Sequence, residues 1–359
     1  MKVAVLLSGG VDSSVALARL RAAGHDVTAF YLKIWLAQEL AFLGNCPWQE
    51  DLEYARAACD LLDVPLEVVA LQTEYQTAVV GYTLRELRAG RTPSPDLLCN
   101  REIKFGVFLD QYGQQFERVA TGHYAQVRRV EHRFQLVRGA DPVKDQSYFL
   151  ACLSDHQLAK ACFPIGGELK HTIREEAQQI GLANSRRKDS QGICFLGAVP
   201  YQNFVRAYLG EAAGPIRRLE DGRVLGQHRG HWFHTIGQRQ GLGLGDGPWY
   251  VVAKDVERNI LWVAHEPMAA ASAELTLQSC ILRALPHGER IQVRIRHGVA
   301  LLPARLVSLE PLQLILEQAQ PGVASGQFAV LYEGDVCLGC GVIDTALAPS
   351  RRAESLGVA

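Results

Sequence analysis

One heptapeptide near the start of the chain has the composition of a phosphate-binding loop. It runs Ser8-Gly-Gly-Val-Asp-Ser-Ser14 and lies between a short apolar run and a helical pattern. Glycines let the backbone approach an anion, and hydroxyls and the first amides of a helix donate hydrogen bonds to it. The alternative is a plain Gly-Gly turn in which Asp12 or Ser13 caps the helix. The full heptapeptide directly after a buried strand favours the phosphate loop.

The loop also limits the phosphate chemistry that we expect. It lacks the Gly-x-x-x-x-Gly-Lys pattern in which a lysine reaches a transferring γ-phosphate, so the motif itself supplies no such lysine. Asp12 offers the carboxylate that Mg²⁺ prefers in combination with water and phosphate oxygens. The sequence therefore predicts a nucleotide site at which Mg²⁺ binds together with the nucleotide.

Two cysteines lie in surroundings that favour reactivity. Cys99 follows two prolines, which predict an extended segment, and precedes a helix expected to begin near Asn100. At such a position the helix dipole and nearby basic side chains favour the thiolate. Cys194 follows the basic run Arg186-Arg-Lys188, which lowers a thiol pKa and attracts an RNA phosphate. The alternative for both residues is a buried apolar cysteine.

The elements that must position these residues alternate between strand and helix. Apolar runs predict strands at 2–7, 27–34, 66–71 and 118–121, and helical spacing predicts helices at 13–23 and 51–62. This alternation is typical of an α/β fold with a doubly wound parallel sheet. Ligands bind beyond the carboxyl ends of such strands, where the loop at 8–14 falls.

The second half of the chain has a different texture. Residues 214–250 are rich in Gly, His and Arg and predict a small mixed α+β domain. Short alternating strands at 291–295, 304–307, 312–316, 327–331 and 336–343 predict a C-terminal β-barrel. We therefore expect a catalytic domain at 1–198, a small central domain at 199–268 and a barrel at 269–359.

The composition of the chain indicates the cellular compartment in which we expect the protein. The chain has 359 residues, a formal net charge of −1 and nine cysteines, an odd number that fits a reducing compartment better than a disulfide framework. Its apolar runs are too short to cross a bilayer or to act as a secretory signal, so we expect a cytoplasmic protein without a membrane partner.

Charge and cysteine spacing leave two smaller questions open. The net charge gives no whole-chain signal for nucleic acid, but Arg290, Arg294 and Arg296 alternate along a predicted strand. That stripe is either a track for phosphates or merely a solvated face. Cys337 and Cys340 have metal-ligand spacing, yet their place in an apolar strand favours packing, and we predict no metal cluster.

Six stretches in a fixed order resemble one family. The loop SGGVDSS resembles the pyrophosphate loop of the N-type ATP pyrophosphatases. Together with GRTPSPDLLCNREIKF (90–105), ATGHYA (120–125), KDQSYFL (144–150), KDSQGICF (188–195) and HTIGQRQGLGLG (234–245), it resembles the tRNA-specific 2-thiouridylases of bacteria and organelles. Two departures are Leu6, where the family usually has glycine, and Ser325, where it has proline.

The resemblance implies sulfur transfer to C2 of the wobble uridine, position 34, in the tRNAs for Gln, Lys and Glu. ATP would adenylate the C2 oxygen, and Cys194 would carry the sulfur as a persulfide received from a sulfur-donor protein. Cys99 would form a transient disulfide with Cys194 as the sulfur leaves. Whether the bound persulfide or free sulfide attacks stays open, as do the identity of the donor and the oligomeric state.

The resemblance also implies roles for individual residues. The ATP site would comprise Leu6, Leu7, Ser8, Gly9, Gly10, Val11, Asp12, Ser13, Leu32 and Gly122. The target base would meet Ser94, Pro95 and Asp96, with His123 near the tRNA at the reaction centre. Further tRNA contacts would come from Lys144, Asp145, Gln146, Arg296, His297 and Gln327. The alternatives are that Asp145 only caps the following helix and that His123 is a satisfied core histidine.

Overall fold

The first strand, β1 (Lys2–Leu7), lies at the centre of a parallel sheet. The structure is a computed structural model that describes residues 1–34, 48–189, 199–298 and 300–344. The other strands of the sheet are β2 (Asp26–Lys33), β3 (Leu66–Ala70), β4 (Arg118–Ala120) and β7 (Ala161–Cys162), in the order β3-β2-β1-β4-β7. All paired strands run parallel. β1 is buried from Val3 onward, as expected of a strand covered on both faces. The predicted parallel sheet is confirmed.

Ten α-helices lie between and after the strands of this sheet in the described part of the chain. They are α1 (Val11–Ala22), α2 (Trp48–Leu62), α3 (Gln72–Tyr75), α4 (Gly81–Arg88), α5 (Pro95–Leu98), α6 (Phe108–Gln111), α7 (Ser147–Leu150), α8 (Asp155–Lys160), α9 (Lys170–Ile180) and α10 (Tyr201–Leu209). Two π-helical segments, Gln76–Val80 and Cys99–Val107, join α3 to α4 and α5 to α6. Within the described ranges, no helix is both long and apolar enough to cross a membrane.

A small sheet follows α10 and forms the core of the central domain. It consists of β8 (Gly214–Arg218), β9 (Val224–His228), β10 (Tyr250–Asp255) and β11 (Ile260–Ala264), in the order β10-β11-β8-β9. Ile216, Trp249 and Leu261 pack together beneath it. The small mixed domain predicted for this region is confirmed.

Six strands close into the C-terminal barrel. They are β12 (Ser272–Leu282), β13 (Arg290–Arg294), β14 (Leu302–Leu309), β15 (Leu312–Gln320), β16 (Phe328–Glu333) and β17 (Val336–Ile343). β12 pairs with both β15 and β17, which closes the barrel. The predicted barrel is confirmed, but β12 was not predicted. Its alternation is broken by a register shift between Gln278 and Ile281 and by the positive φ of Ser279.

A hairpin of the first domain extends the barrel's sheet. Strands β5 (Ala125–Val130) and β6 (Arg133–Arg138) pair with each other, and β6 also pairs with β17 through Val137 and Leu136. The backbone N–H of Arg138 donates to the carbonyl oxygen of Asp335 at 2.9 Å. The first domain and the barrel therefore share one hydrogen-bonded sheet. The domain boundaries at 198 and 268 stay predictions.

Candidate active site

The predicted phosphate loop lies at the carboxyl end of β1. Gly10 is the N-cap of α1, and the helix starts at Val11, before Asp12 and Ser13. The backbone N–H of Ser8 donates to Oγ of Ser13 at 3.2 Å, and the hydroxyls of Ser13 and Ser14 both donate to the carbonyl oxygen of Gly10 at 3.1 Å. Neither Asp12 nor Ser13 is the N-cap residue of the helix, so the capping alternative does not describe this loop.

Two glycines bring three backbone segments together at the loop. Gly9 has φ +74°, and a Cβ atom there would lie 2.2 Å from the carbonyl oxygen of Asp51. Gly122, just after β4, faces the first turn of α1, where a Cβ would lie 2.6 Å from the backbone nitrogen of Ser13. Glycine is therefore required at both positions, and the predicted place of Gly122 beside the loop agrees with this geometry.

Side chains from the far end of the first domain hold the loop. Nδ2 of Asn184 donates to the carbonyl oxygen of Gly9 at 3.0 Å and to Oγ of Ser14 at 2.9 Å. Nη1 of Arg187 donates to the same carbonyl oxygen at 3.2 Å, and its Nη2 pairs with Asp51 at 2.6 Å. The loop is therefore fixed from outside as well as by its own hydroxyls.

Several predicted ATP-site residues can contribute only through their backbone. The side chains of Leu6, Leu7, Val11 and Ser13 are buried, and Leu6 packs into the main core of the first domain. Leu32 is half-buried at the end of β2. The larger Leu6, where the family has glycine, is accommodated in that core, because its side chain points away from the loop surface into apolar neighbours.

Asp12 sits in a network of charged side chains. Nζ of Lys170 lies 2.7 and 2.8 Å from its two carboxylate oxygens, and the hydroxyl of Tyr124 donates to Oδ1 at 2.8 Å. Lys170 also pairs with Asp189 at 2.9 Å. A lysine thus does reach this end of the loop, from α9 rather than from the motif.

Asp189 is the second carboxylate of that network. It pairs with Arg174 at 2.6 Å and with Lys144 at 2.8 Å, besides Lys170. Burial alone would raise the pKa of Asp189, but hydrogen bonds from Lys144 and Lys170 and their positive charges hold it well below its usual range. Lys144, predicted to contact tRNA, is thus engaged with a carboxylate while its side chain stays partly exposed.

Cys99 lies inside a helix rather than at its start. Helical structure begins at Pro95, which occupies the first turn, and runs through the π-helical segment to Gln111. Cys99 is only 1% exposed, and burial raises the pKa of its thiol, which the charge of Lys104 offsets in part. The prediction of a helix start with a favoured thiolate is therefore wrong for this structure, because Pro95 tolerates the first helical turn and starts the helix earlier.

A cavity of about 520 Å³ gathers the residues predicted to meet the target base. Ser94, Pro95 and Asp96 line one side of it, and Arg296, His297 and Gln327 of the C-terminal segment line another. Aromatic side chains complete the wall, namely Tyr148, Phe149, Tyr201, Trp232 and Phe233. All three domains contribute, so the cavity exists only in the assembled chain.

His123, Lys104 and Asn100 are polar residues of the motifs whose hydrogen-bond partners the structure gives. His123 hydrogen-bonds Thr121 at 2.7 Å, and burial together with the charge of Lys104 holds the pKa of His123 well below its ordinary value. Nζ of Lys104 donates to Oδ1 of Asn100 at 2.9 Å, and Nδ2 of Asn100 donates to the carbonyl oxygen of Phe149 at 3.0 Å. The burial of His123 and the nearby charge of Lys104 both favour its neutral imidazole.

Two ring contacts accompany these hydrogen bonds. The ring of Phe149 lies 4.3 Å from the ring of His297 at the cavity wall. The burial of His123, its hydrogen bond to Thr121 and its edge contact with the ring of Phe163 are compatible with a core role.

Asp145 and Arg294 face each other in the interior. The carboxylate of Asp145 has no exposed surface and accepts from the backbone N–H groups of Ser147 and Gly139, from Nε of Arg138 and from Nη1 of Arg294 at 3.0 Å. Gln146, not Asp145, is the N-cap residue of the next helix, so the capping alternative does not hold in its strict form. Asp145 still accepts from the backbone N–H of Ser147, the first residue of that helix, and its side chain offers no surface to RNA. Gln146 likewise uses its Oε1 to accept from the backbone N–H of Tyr124 at 2.9 Å.

The predicted arginine stripe is broken in the same place. Arg290 and Arg296 are exposed, but Arg294 is 5% exposed because the outer face of β13 is covered there by the first domain. The interpretation of all three arginines as a continuous track for phosphates is therefore wrong. Cys337 and Cys340 are buried in β17, as predicted, where Sγ of Cys340 lies 3.1 Å from Sγ of Cys152.

Sequence reasoning missed the residues that complete the loop site. Tyr124 and Asp189 lie within the quoted motifs ATGHYA and KDSQGICF, so their signal was present but was given no role. Lys170 and Asn184 lie outside every motif, and nothing in their local pattern indicates Asp12 or Gly9 as a partner. Cys194, the predicted sulfur carrier, lies outside the described residues.

Comparisons with known proteins cover almost the whole chain. Three family models match in order: "tRNA methyl transferase HUP domain" at 1–198, "tRNA methyl transferase PRC-barrel domain" at 202–265 and "Aminomethyltransferase beta-barrel domain" at 262–343. The tRNA-specific 2-thiouridylase MnmA 2 of Bacteroides fragilis is 43% identical over 354 residues, covering 96% of this chain and 100% of that protein. The corresponding protein of Parabacteroides distasonis is 40% identical over 96% of this chain and 99% of its own.

Solved structures show only a distant likeness. A 4-thiouridine synthetase–RNA complex with bound ATP is 18% identical, covering 55% of this chain and 45% of that one with a TM-score of 0.34. An NMN synthetase of Francisella tularensis is 17% identical over 56% of this chain and 71% of its own, with a TM-score of 0.35. The assignment therefore depends on the full-length relatives and the three ordered matches, and by these the chain belongs to the family of tRNA-specific 2-thiouridylases, which are tRNA sulfurtransferases.

Proposed function

We propose that this protein thiolates tRNA, replacing the C2 oxygen of the wobble uridine at position 34 with sulfur at the expense of ATP. The observation that carries the proposal is the cavity shared by all three domains, which joins Ser94 and Asp96 to Arg296, His297 and Gln327. Aromatic walls suit a base removed from its stack, and exposed Arg296 suits a phosphate. The tRNAs for Gln, Lys and Glu are the proposed substrates.

The loop at 8–14 is proposed to bind the phosphates of ATP. The position of the loop at the start of α1, the close backbone approach at Gly9 and Gly122, and Asp12 in the first turn of α1 support this role. Asp12 fits Mg²⁺ because it presents a carboxylate at the same surface, and Mg²⁺ bound there would neutralise charge on the departing pyrophosphate. Attack of the uridine C2 oxygen on the α-phosphorus then releases pyrophosphate and leaves the oxygen activated as an AMP ester.

Sulfur transfer is proposed to involve Cys194 and Cys99. The terminal sulfur of a Cys194 persulfide attacks C2, and AMP departs with the former C2 oxygen. The Cys99 thiolate attacks Sγ of Cys194, breaking the bond to the transferred sulfur and forming a Cys99–Cys194 disulfide, which a thiol reductant later returns to two thiols. Because burial raises the pKa of the Cys99 thiol, a base or a conformational change must accompany its deprotonation. A sulfur-donor protein in the cytoplasm would reload Cys194.

Incubation of the full chain with ATP, a persulfide donor and unmodified tRNA, followed by mass spectrometry of the nucleosides, tests the proposal. We expect 2-thiouridine with the unmodified protein and with Cys280→Ser, which changes an exposed cysteine of the barrel. Cys194→Ser should form none. Full activity of Cys194→Ser would instead indicate a different ATP pyrophosphatase reaction, and failure of the unmodified protein to form AMP and 2-thiouridine would overturn the assignment.

A further inference from the structure

Lys170 places a positive charge at the mouth of the nucleotide loop. It is the first residue of α9, and its Nζ lies within 2.8 Å of both carboxylate oxygens of Asp12 and 2.9 Å from Oδ1 of Asp189. The side chain is 12% exposed and lies over the ring of Tyr124, with Nζ 5.7 Å from the ring centroid. The ammonium group is therefore held at one point in space although its stem is flexible.

Asp189 has two further cationic partners besides Lys170, so Lys170 could exchange a carboxylate for another anion without leaving Asp189 unpaired. These partners are Arg174, which pairs with Asp189 at 2.6 Å, and Lys144, which pairs with it at 2.8 Å. Its carboxylate would therefore not be stranded without a counter-charge if Lys170 moved. Burying an unpaired charge is costly, so this redundancy removes the main obstacle to such a movement.

Asp12 is the partner whose situation changes when a nucleotide binds. A cation bound with the nucleotide would compete for the Asp12 carboxylate oxygens that Lys170 contacts, and the polyphosphate would add negative charge at the same surface. The ammonium group of Lys170 would then need only a small shift from Asp12 to reach phosphate oxygens bound at the loop. A preorganised positive charge stabilises a departing anion without reorganisation during the reaction.

We propose that Lys170 is a further residue of the ATP site, which contacts the pyrophosphate portion and stabilises the charge that develops on it as the bond to the α-phosphorus breaks. Lys170 thereby supplies from α9 the lysine contact to phosphate that the loop motif itself lacks. This inference rests on the proposed use of ATP at the loop.

Equilibrium binding to the full chain separates this role from a structural one. Calorimetric titrations with Mg²⁺-ATP and with Mg²⁺-pyrophosphate are compared for the unmodified protein and for Lys170→Met, which retains most of the stem. We expect both affinities to fall about tenfold, or about 1.4 kcal/mol, while tRNA affinity stays within about twofold. Arg174→Met is the matched control, because Arg174 pairs with Asp189 but not with Asp12.

The competing account is that Lys170 only neutralises Asp12. Pyrophosphate binding by Asp12→Asn is compared with binding by the double variant Asp12→Asn, Lys170→Met, and this comparison decides between the two accounts of Lys170. It also provides a test if Lys170→Met alone folds poorly. A tenfold further loss in the double variant supports phosphate contact. Equal affinities, or unchanged binding in Lys170→Met alone, overturn the inference and leave the proposed function standing. If the unmodified protein binds neither ATP nor pyrophosphate, the proposed function fails together with the inference.

Discussion

Gly122 and Ser13 are in backbone contact across the carboxyl ends of two adjacent strands, with only 2.6 Å between the position of a Cβ on residue 122 and the backbone nitrogen of Ser13. β1 and β4 are neighbours in the sheet, so the segments that follow them meet at the same edge. The contact places the loop amides beside the segment that carries His123 and Tyr124. The close packing of the loop against the segment after β4 therefore depends on a glycine at residue 122.

Gly122→Ala should displace the first turn of α1 and weaken Mg²⁺-ATP binding at least tenfold, because the clash is with backbone that no side-chain rotation relieves. Isothermal titration measures the loss, and circular dichroism checks that the fold is kept. Gly167→Ala is the control, since a Cβ there meets nothing within 4 Å. Equal ATP affinity in both variants would contradict the close approach at residue 122.

Thiol alkylation should discriminate between buried and exposed cysteines. Cys99 is buried and its thiol pKa is raised by that burial, so iodoacetamide at pH 7.5 should modify it far more slowly than the exposed Cys280. Peptide mass spectrometry over a time course gives both rates in one sample. Faster labelling of Cys99 than of Cys280 would show that the helix around Cys99 opens in solution.

Arg294→Met should destabilise the junction between the barrel and the first domain by about 3 kcal/mol, because it leaves the buried carboxylate of Asp145 short of one charged partner. Arg138 remains and limits the loss. The midpoint of urea unfolding reports the change. Arg290→Met, on the same strand but exposed, should stay within about 0.5 kcal/mol of the unmodified protein, and a similar loss in both variants would argue against the buried pair.

Stability should fall as the pH drops from about 6.5 to about 4. Burial lowers the pKa of His228 and His231, and burial together with the positive charges nearby lowers the pKa of His234 to about 4. Below pH 6.5 these histidines bind protons in the unfolded chain but stay neutral in the folded chain, so protonation favours unfolding. Urea titrations at pH 7.5, 6 and 5 measure this slope. His234→Gln should flatten it, whereas a change at the exposed His132 should not.

Arg296→Ala should weaken tRNA binding and reduce the salt dependence of the binding constant by about one unit of slope, because one phosphate contact is lost. Fluorescence anisotropy at several salt concentrations gives the slope. Arg290→Ala removes an equal charge from the start of β13, outside the cavity lining, and should leave the slope unchanged. If both variants lose the same slope, the RNA follows the outer face of the barrel instead of the cavity.

Local patterns predicted the parts of this protein that depend on nearby residues. The strand Lys2–Leu7, the loop after it and the strand Val336–Ile343 follow from apolar runs ended by turn residues. The prediction for Cys99 is wrong because a proline excludes helix only in the interior, whereas Pro95 occupies the first turn, where its missing N–H costs nothing.

The remaining errors share a long-range cause. The pairing of Lys170 with Asp12, the burial of Arg294 beside Asp145 and the addition of the β5–β6 hairpin to the barrel each join residues far apart in the chain. No local spacing encodes these partners. The motifs predicted which residues gather at the cavity only because the family resemblance supplied the long-range information.

The shared sheet has a consequence for how the chain is made. β6 is synthesised long before β17, so on the ribosome the first domain carries a strand edge whose partner does not yet exist. Open strand edges invite pairing with other chains, and charged residues discourage it. Arg128, Arg129 and Arg133 cluster at the exposed tip of this hairpin. We expect that replacing them with threonine would leave the finished enzyme active but increase aggregation of nascent chains, measured as the insoluble fraction after cell-free synthesis.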